Sequence, residues 1–222
     1  MASNTKDGIT IRIMTEEDYK AVKSQMEGDF FSSEPLCQSS GECLVGQNEK
    51  KKNDSHLSMI AQGTCLVAFD ENDGGRLVGF VLAGAQFPED VEKHRIKAEA
   101  MEQNAWRRIA VLLSKIEREA NVFERFGISK VLYSHFTSVD ASMRGKGLGS
   151  RLADTLMDVG RSKGFPAMVA YCTSFYSARQ KEALGMQCIH SLVYADYKDA
   201  NGKPIFTPAV PHTMARVMAI KL

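Results

Sequence analysis

The sequence predicts an α/β fold: one domain spanning residues 1–222, with a hairpin-rich N-terminal half. Three observations carry that prediction. Strand-like runs rich in β-branched and aromatic residues alternate with runs whose apolar residues recur at helical spacing. The N-terminal half holds two strand-like runs joined by the turn-rich stretch ENDGG. No internal repeat or low-complexity tract divides the chain, and 222 residues with 44% hydrophobic content suffice for a sizeable core.

The elements follow in order. Residues 9–14, ITIRIM, alternate apolar and polar and read as a strand. Thr15 followed by Glu16, Glu17 and Asp18 makes a helix N-terminus, and that helix carries Tyr19, Val22 and Met26 on one face before ending near Gly28. FFSSEPLCQSSGE is a loop or broken helix, because Pro35 biases Glu34 away from helical torsions. The run QNEKKKNDSH at 47–56 reads as a solvated surface segment, its lysines not being interleaved with aromatics. Strands at 64–70 and 76–87 form a hairpin. From about Glu89 to Phe123 the pattern is helical, with Trp106, Ile109, Leu112, Leu113 and Ile116 on one buried face. A strand at 128–140 leads into a helix marked by Leu148, Leu152, Leu156 and Val159, then a strand at 166–172 and a short helix at 176–184. HTMARVMAIKL supplies the last strand.

Charge and cysteine usage exclude several function classes. Lys plus Arg number 28 against 27 for Asp plus Glu, so no global positive field draws in nucleic acid or anionic membrane, and any anion binding is local. Cys37, Cys43, Cys65, Cys172 and Cys188 are odd in number and contain no C-x-x-C pair, which points to reduced thiols rather than a disulfide framework or a metal site. The N-terminus lacks the apolar core of a signal peptide, and no stretch approaches the ~18 apolar residues of a membrane span. These features lead to the expectation of a cytoplasmic, monomeric protein.

The stretch VDASMRGKGLGSRL, 139–152, places glycines between a strand-like and a helix-like run. A P-loop requires lysine and a hydroxyl after its last glycine, whereas here Lys146 precedes Gly147. A Rossmann fingerprint fails too, since its third glycine position falls on Ser150 and no acidic residue ends the next strand. What remains is Arg144, Gly145, Lys146, Gly147, Leu148 and Gly149. This is either a turn that starts a helix or an anion cradle of free backbone N–H groups at a helix N-terminus.

Set between its strand and its helix, this pattern resembles the pyrophosphate-binding motif of the GNAT superfamily, the acetyl-CoA-dependent N-acetyltransferases. The likeness continues through strand 166–172, Tyr176-Ser177-Ala178-Arg179 and Ala183-Leu184-Gly185-Met186. FFSSEPL at 30–36, the run from Cys172 to Arg179, Ala195-Asp196-Tyr197-Lys198 and Pro208-Ala209-Val210-Pro211-His212 look like the insect-type arylalkylamine N-acetyltransferases, from about residue 10 onward. The resemblance implies a GNAT fold, a mixed, mostly antiparallel central sheet splayed between two middle strands and flanked by helices, and acetyl-CoA as cosubstrate. It makes Glu34 the general base, in a loop whose phenylalanines and proline partly desolvate it. It brings hydroxyls to the departing thiolate at Thr173 and Ser177, with Thr173 standing where the family more often has serine, and leaves Tyr176 as an alternative acid.

For the coenzyme, the resemblance implies main-chain pairing of the pantetheine arm near Ser138, Val139 and Asp140. Amides from Arg144 through Gly145, Lys146, Gly147, Leu148 and Gly149 to Ser150 would hold the pyrophosphate, with Arg179 near the adenosine. The expected acceptors are arylalkylamines such as dopamine, serotonin or tryptamine. Polyamines, histamine or other non-aryl amines are the alternative, favoured by an acidic pocket lining; a non-catalytic acyl-CoA-binding module is a third reading. Phe30, Phe31, Phe80, Phe87, Tyr171 and Phe175 are either acceptor walls or ordinary core. Cys172 lies near the thioester site, without an identifiable base for acyl-enzyme chemistry.

Overall fold

The computed structural model describes residues 4–42 and 49–222. Its strands are β1 (Asn4–Lys6), β2 (Ile9–Ile13), β3 (Leu66–Asp70), β4 (Arg76–Gln86), β5 (Val131–Val139), β6 (Ala167–Cys172), β7 (Gln187–Val193) and β8 (Met214–Lys221). They form one sheet in the order β1-β2-β3-β4-β5-β6-β8-β7. The β5–β6 pair is parallel and its neighbours in the sheet pair antiparallel, in agreement with the expected mixed sheet.

That parallel pair is also short. Leu132–Ser134 pair with Met168–Ala170, after which β5 runs on to Val139 and β6 to Cys172 without further pairing. The sheet therefore parts in its middle, at the C-terminal ends of two adjacent strands. At the parting point β5 carries a bulge: Phe136 pairs with Leu82 and Ser134 with Ala83, leaving His135 as the extra residue. One inserted residue reverses the alternation of side chains, so His135 and Phe136 both project to the same face, their rings 4.0 Å apart.

The helices are α1 (Tyr19–Gln25), α2 (Pro35–Ser40), α3 (Glu49–Ala61), α4 (Pro88–Glu99), α5 (Ala105–Ala120), α6 (Val122–Phe126), α7 (Leu148–Ser162) and α8 (Phe175–Ala183). On one face of the sheet, Leu148, Leu152 and Leu156 of α7 pack on Leu66, Val81, Leu132 and Met168. The other face has two cores. Val22 and Ile60, from α1 and α3, cover Val67, Phe80 and Leu82, whereas Ile109, Leu112 and Ile116 of α5 cover Val169, Val217 and Ala219. Between these two cores lies a strip of half-buried side chains from β5 and β6: Tyr133, His135, Phe136 and Tyr171. Half-burial of large rings in the middle of a sheet marks a cleft.

Three expectations need correction. The helical run expected over 89–123 is α4, α5 and α6, broken at Asn104, whose side chain accepts from Arg107 N and caps α5. The polar segment at 47–56 belongs, from Glu49 onward, to helix α3, and its His56 is buried; residues 47 and 48 lie outside the described ones. An extra strand, β1, hairpins onto β2 through Asp7 (φ 55°) and Gly8 (φ 74°), an Asp-Gly turn of the kind that matches strand twist. No helix among the described residues is long and apolar enough to cross a membrane.

Candidate active site

Glu34 sits where the helical turn Phe31–Ser33 breaks. Its backbone is extended (φ −75°, ψ 127°), as expected of a residue before proline, and it forms the N-cap of α2 with Pro35 as the first helical residue. Its Oε2 accepts from Cys37 N at 2.7 Å, which fixes the carboxylate as a cap. Its Oε1 accepts from Thr173 Oγ1, also at 2.7 Å, bridging 139 positions of sequence to the end of β6. Each carboxylate oxygen keeps a further lone pair, so this carboxylate is held rigidly and still able to take a proton.

Thr173 is thus tied through its hydroxyl to Glu34. The Tyr194 hydroxyl donates to Thr173 O at 2.7 Å, tying the turn after β6 to the segment after β7. Burial pushes the Tyr194 phenol well above its ordinary value, so it stays protonated and donating. Ser177 is half-buried and donates to Ser174 O at 2.9 Å, while the Ser174 side chain caps α8 by accepting from Tyr176 N. Tyr176 is 63% exposed and meets His212 edge-on. His212 Nδ1 accepts from Phe175 N at 3.1 Å, a structural task at the start of α8. Arg179 is exposed on α8, its guanidinium 5.8 Å from the Phe175 ring.

The half-buried strip continues from Glu34 as an aromatic wall. Phe31 meets Trp106 edge-to-face at 5.1 Å and Phe136 at 6.2 Å, and the Tyr133 and Tyr171 rings lie 4.8 Å apart. Of the aromatics singled out from the sequence, Phe30, Phe31 and Tyr171 lie on this wall, Phe30 meeting Phe136 at 5.0 Å. Phe80 is fully buried core, and Phe87 is exposed at the start of α4. His135 Nδ1 and the Tyr133 hydroxyl are 2.9 Å apart, and burial pushes the His135 imidazole down to about 3, so it is neutral at physiological pH.

On the opposite side of the parting strands lies the glycine loop. Asp140 N donates to Val78 O, and the alternation of β5 accordingly aims the main chain of Ser138 at β4. Val139 O instead points into the gap, where Arg144 Nε approaches it at 3.4 Å. Of the three residues expected to meet a pantetheine arm, Val139 alone offers its main chain to the open side; the Asp140 carboxylate is paired with Arg76 at 3.1 Å. Gly145 (φ 75°) and Gly147 (φ 78°) adopt left-handed torsions, and a Cβ built on either would meet nothing within 4 Å. Space is therefore present beside the first turn of α7, where the amides of Leu148, Gly149 and Ser150 lack intrahelical acceptors. Leu148 contributes only its amide, because its side chain is core, and Gly149 packs against Gln180. This arrangement suits an anionic ligand: a helix dipole, free N–H groups, and the exposed Arg144 and Lys146 nearby.

The geometry sets an anion cradle on one side of a split sheet and a held carboxylate on the other. The chain belongs to the acetyltransferase (GNAT) family, whose model matches residues 34–181. It is similar to an arylalkylamine N-acetyltransferase-like 5b protein from mosquito (29% identity, TM-score 0.83, covering 96% of this chain and 100% of that one). It is similar also to arylalkylamine N-acetyltransferase 2 from Aedes aegypti (26% identity, TM-score 0.88, covering 97% and 99%). A third relative is a polyamine N-acetyltransferase from Drosophila melanogaster that catalyses formation of N-acetylagmatine (31% identity, TM-score 0.84, covering 96% and 100%). The protein is thus an N-acetyltransferase that takes its acetyl group from acetyl-CoA.

Proposed function

We propose that the chain acetylates small primary amines, foremost arylalkylamines such as dopamine, serotonin and tryptamine, by direct transfer within a ternary complex. It acts as one domain, as a cytoplasmic monomer, with no nucleic-acid or membrane partner. The observation that carries this reading is the held carboxylate of Glu34, bonded to Thr173 where β5 and β6 part, with an aromatic wall beside it.

The amine loses a proton to Glu34 as its nitrogen attacks the thioester carbonyl. The C–N bond forms, the C–S bond breaks, and the coenzyme leaves as a thiolate. Ser177, half-buried in the first turn of α8, relays a proton from solvent to that thiolate, and the helix N-terminus favours the negative charge. Tyr176 is the alternative donor. Thr173 and Tyr194 position the base. The glycine loop from Arg144 to Ser150 holds the pyrophosphate, Val139 pairs with the pantetheine arm, and Arg179 lies toward the adenosine. A second reading, in which the acceptor is a polyamine or agmatine, is favoured by the 31% identity to the Drosophila relative.

The test is to mix the protein with acetyl-CoA and a panel of aryl, alkyl and diamine acceptors and to follow free thiol. Release with arylalkylamines is the expected result. No release with any amine overturns the reading.

A further inference from the structure

The far end of the aromatic wall carries a buried carboxylate that acetyl transfer does not use. Glu117 of α5 is 4% exposed, accepts a hydrogen bond from Gln86 Nε2, and lies 3.0 and 3.1 Å from His94 Nδ1 through its two oxygens. Gln86, at the end of β4, in turn meets the Tyr171 hydroxyl at 3.4 Å. Tyr171 and Thr173 are two residues apart in an extended chain and therefore project from the same face, about 7 Å from each other. One wall thus runs from Glu34, held by Thr173, past the Tyr133 and Tyr171 rings to Glu117.

A buried carboxylate is costly unless charge or donors compensate it. Here the compensation is partial: one amide and one imidazole that carries charge only when protonated, with 44% of its side chain exposed. Three contacts take three of the carboxylate's about four acceptor sites, leaving one on Oε2. Burial pushes the Glu117 carboxyl up, and Glu117 draws the His94 imidazole up.

We propose that Glu117 determines specificity at the remote end of the acceptor, selecting amines that carry a second cationic donor, an ammonium or guanidinium, beyond the nitrogen that is acetylated. This rests on the second reading above, a polyamine or agmatine acceptor, with the aromatic wall as its site. Glu34 then works on the reacting amine while Glu117 binds the far cation, and a simple alkylamine leaves Glu117 with no new partner.

The experiment compares kcat/KM for agmatine, putrescine and butylamine in the wild type and in Glu117→Gln. In the wild type the two cationic acceptors should outrun butylamine, and in the variant that advantage should shrink roughly tenfold to a hundredfold through KM, the scale of one charge-assisted hydrogen bond. An unchanged ratio, or parallel loss for all three amines, overturns the inference. Thermal shifts of the wild type with agmatine against butylamine give a second reading that needs neither turnover nor a folded variant, and equal shifts also overturn it. If no amine releases thiol, the acetylation reading fails, and the thermal shifts still decide on Glu117.

Discussion

The two sides of the parted sheet are built in opposite ways. The coenzyme side is one run of chain: β5 ends at Val139, the loop passes Arg144 to Gly147, and α7 begins at Leu148. The acceptor side is assembled from afar, with Glu34 meeting Thr173 across 139 positions, Phe31 meeting Trp106, and Gln86 meeting Glu117. A contiguous cradle works through backbone N–H groups and needs only the right torsions, so side-chain identity matters little outside the glycines. An assembled wall works through side chains held by other elements, so each member depends on the fold behind it. Substitutions should therefore separate the two sides cleanly.

The largest separation is expected at Glu34. Glu34→Gln keeps an oxygen that can cap α2 through Cys37 N, yet cannot take the proton of the amine. It should lower kcat by about a hundredfold to ten-thousandfold with acetyl-CoA affinity unchanged. Steady-state kinetics beside coenzyme titration check this, and equal loss of both would move Glu34 from chemistry to binding. The converse is Gly147→Val. A β-branched residue at φ 78° is strained, and its side chain enters the space beside the first-turn amides. Acetyl-CoA affinity should fall roughly tenfold, the equivalent of about 1.4 kcal/mol, before any change in the ranking of amines. Unchanged coenzyme affinity in folded protein would reduce the loop to a turn.

The same contrast explains what was legible before the structure. The cradle could be read from consecutive residues, because excluding the P-loop and Rossmann patterns required only counting positions around Gly145 and Gly147. The break at Glu34 was legible from Pro35, the α/β class from the alternation of strand-like and helix-like runs, and the mixed sheet only through the family resemblance. The bulge at His135 was not, since it exists only against the partner strand β4 and leaves no periodic signature in β5. Nor was the link from Tyr194 to Thr173, which needs β7 and β6 brought together first. Helix α3 was missed because its N-terminal half is lysine, asparagine and aspartate, whereas the residues that anchor it, His56 and Ile60, come late. The β1 hairpin did leave a signal, Asp7-Gly8 before an alternating run.

A third substitution tests whether the two sides are as separate as they look, by perturbing the helix that lies behind both. Lys181 on α8 is 2% exposed and its Nζ has no hydrogen-bond partner among the described residues, with the Cys172 thiol as the nearby titrating group. Burial pushes its ammonium down and likewise pushes the Cys172 thiol up, so each group is held toward its neutral form. A folded-state value below that of the unfolded chain means that the unfolded chain binds the extra proton. Stability therefore rises with pH between the lowered folded value and the ordinary lysine value of about 10.4, and the penalty is full below that window. Lys181→Met fills the same volume without the orphaned amine. It should stabilise the fold by about 1 kcal/mol at neutral pH and flatten the alkaline rise, both readable by denaturant unfolding across pH. KM for acetyl-CoA and for the amine should move together or not at all, because the exchanged side chain is buried and its amine bonds to none of the residues placed on either side. A loss confined to one substrate would show that Lys181 serves that side, and the division of labour across the split sheet would have to be redrawn around α8.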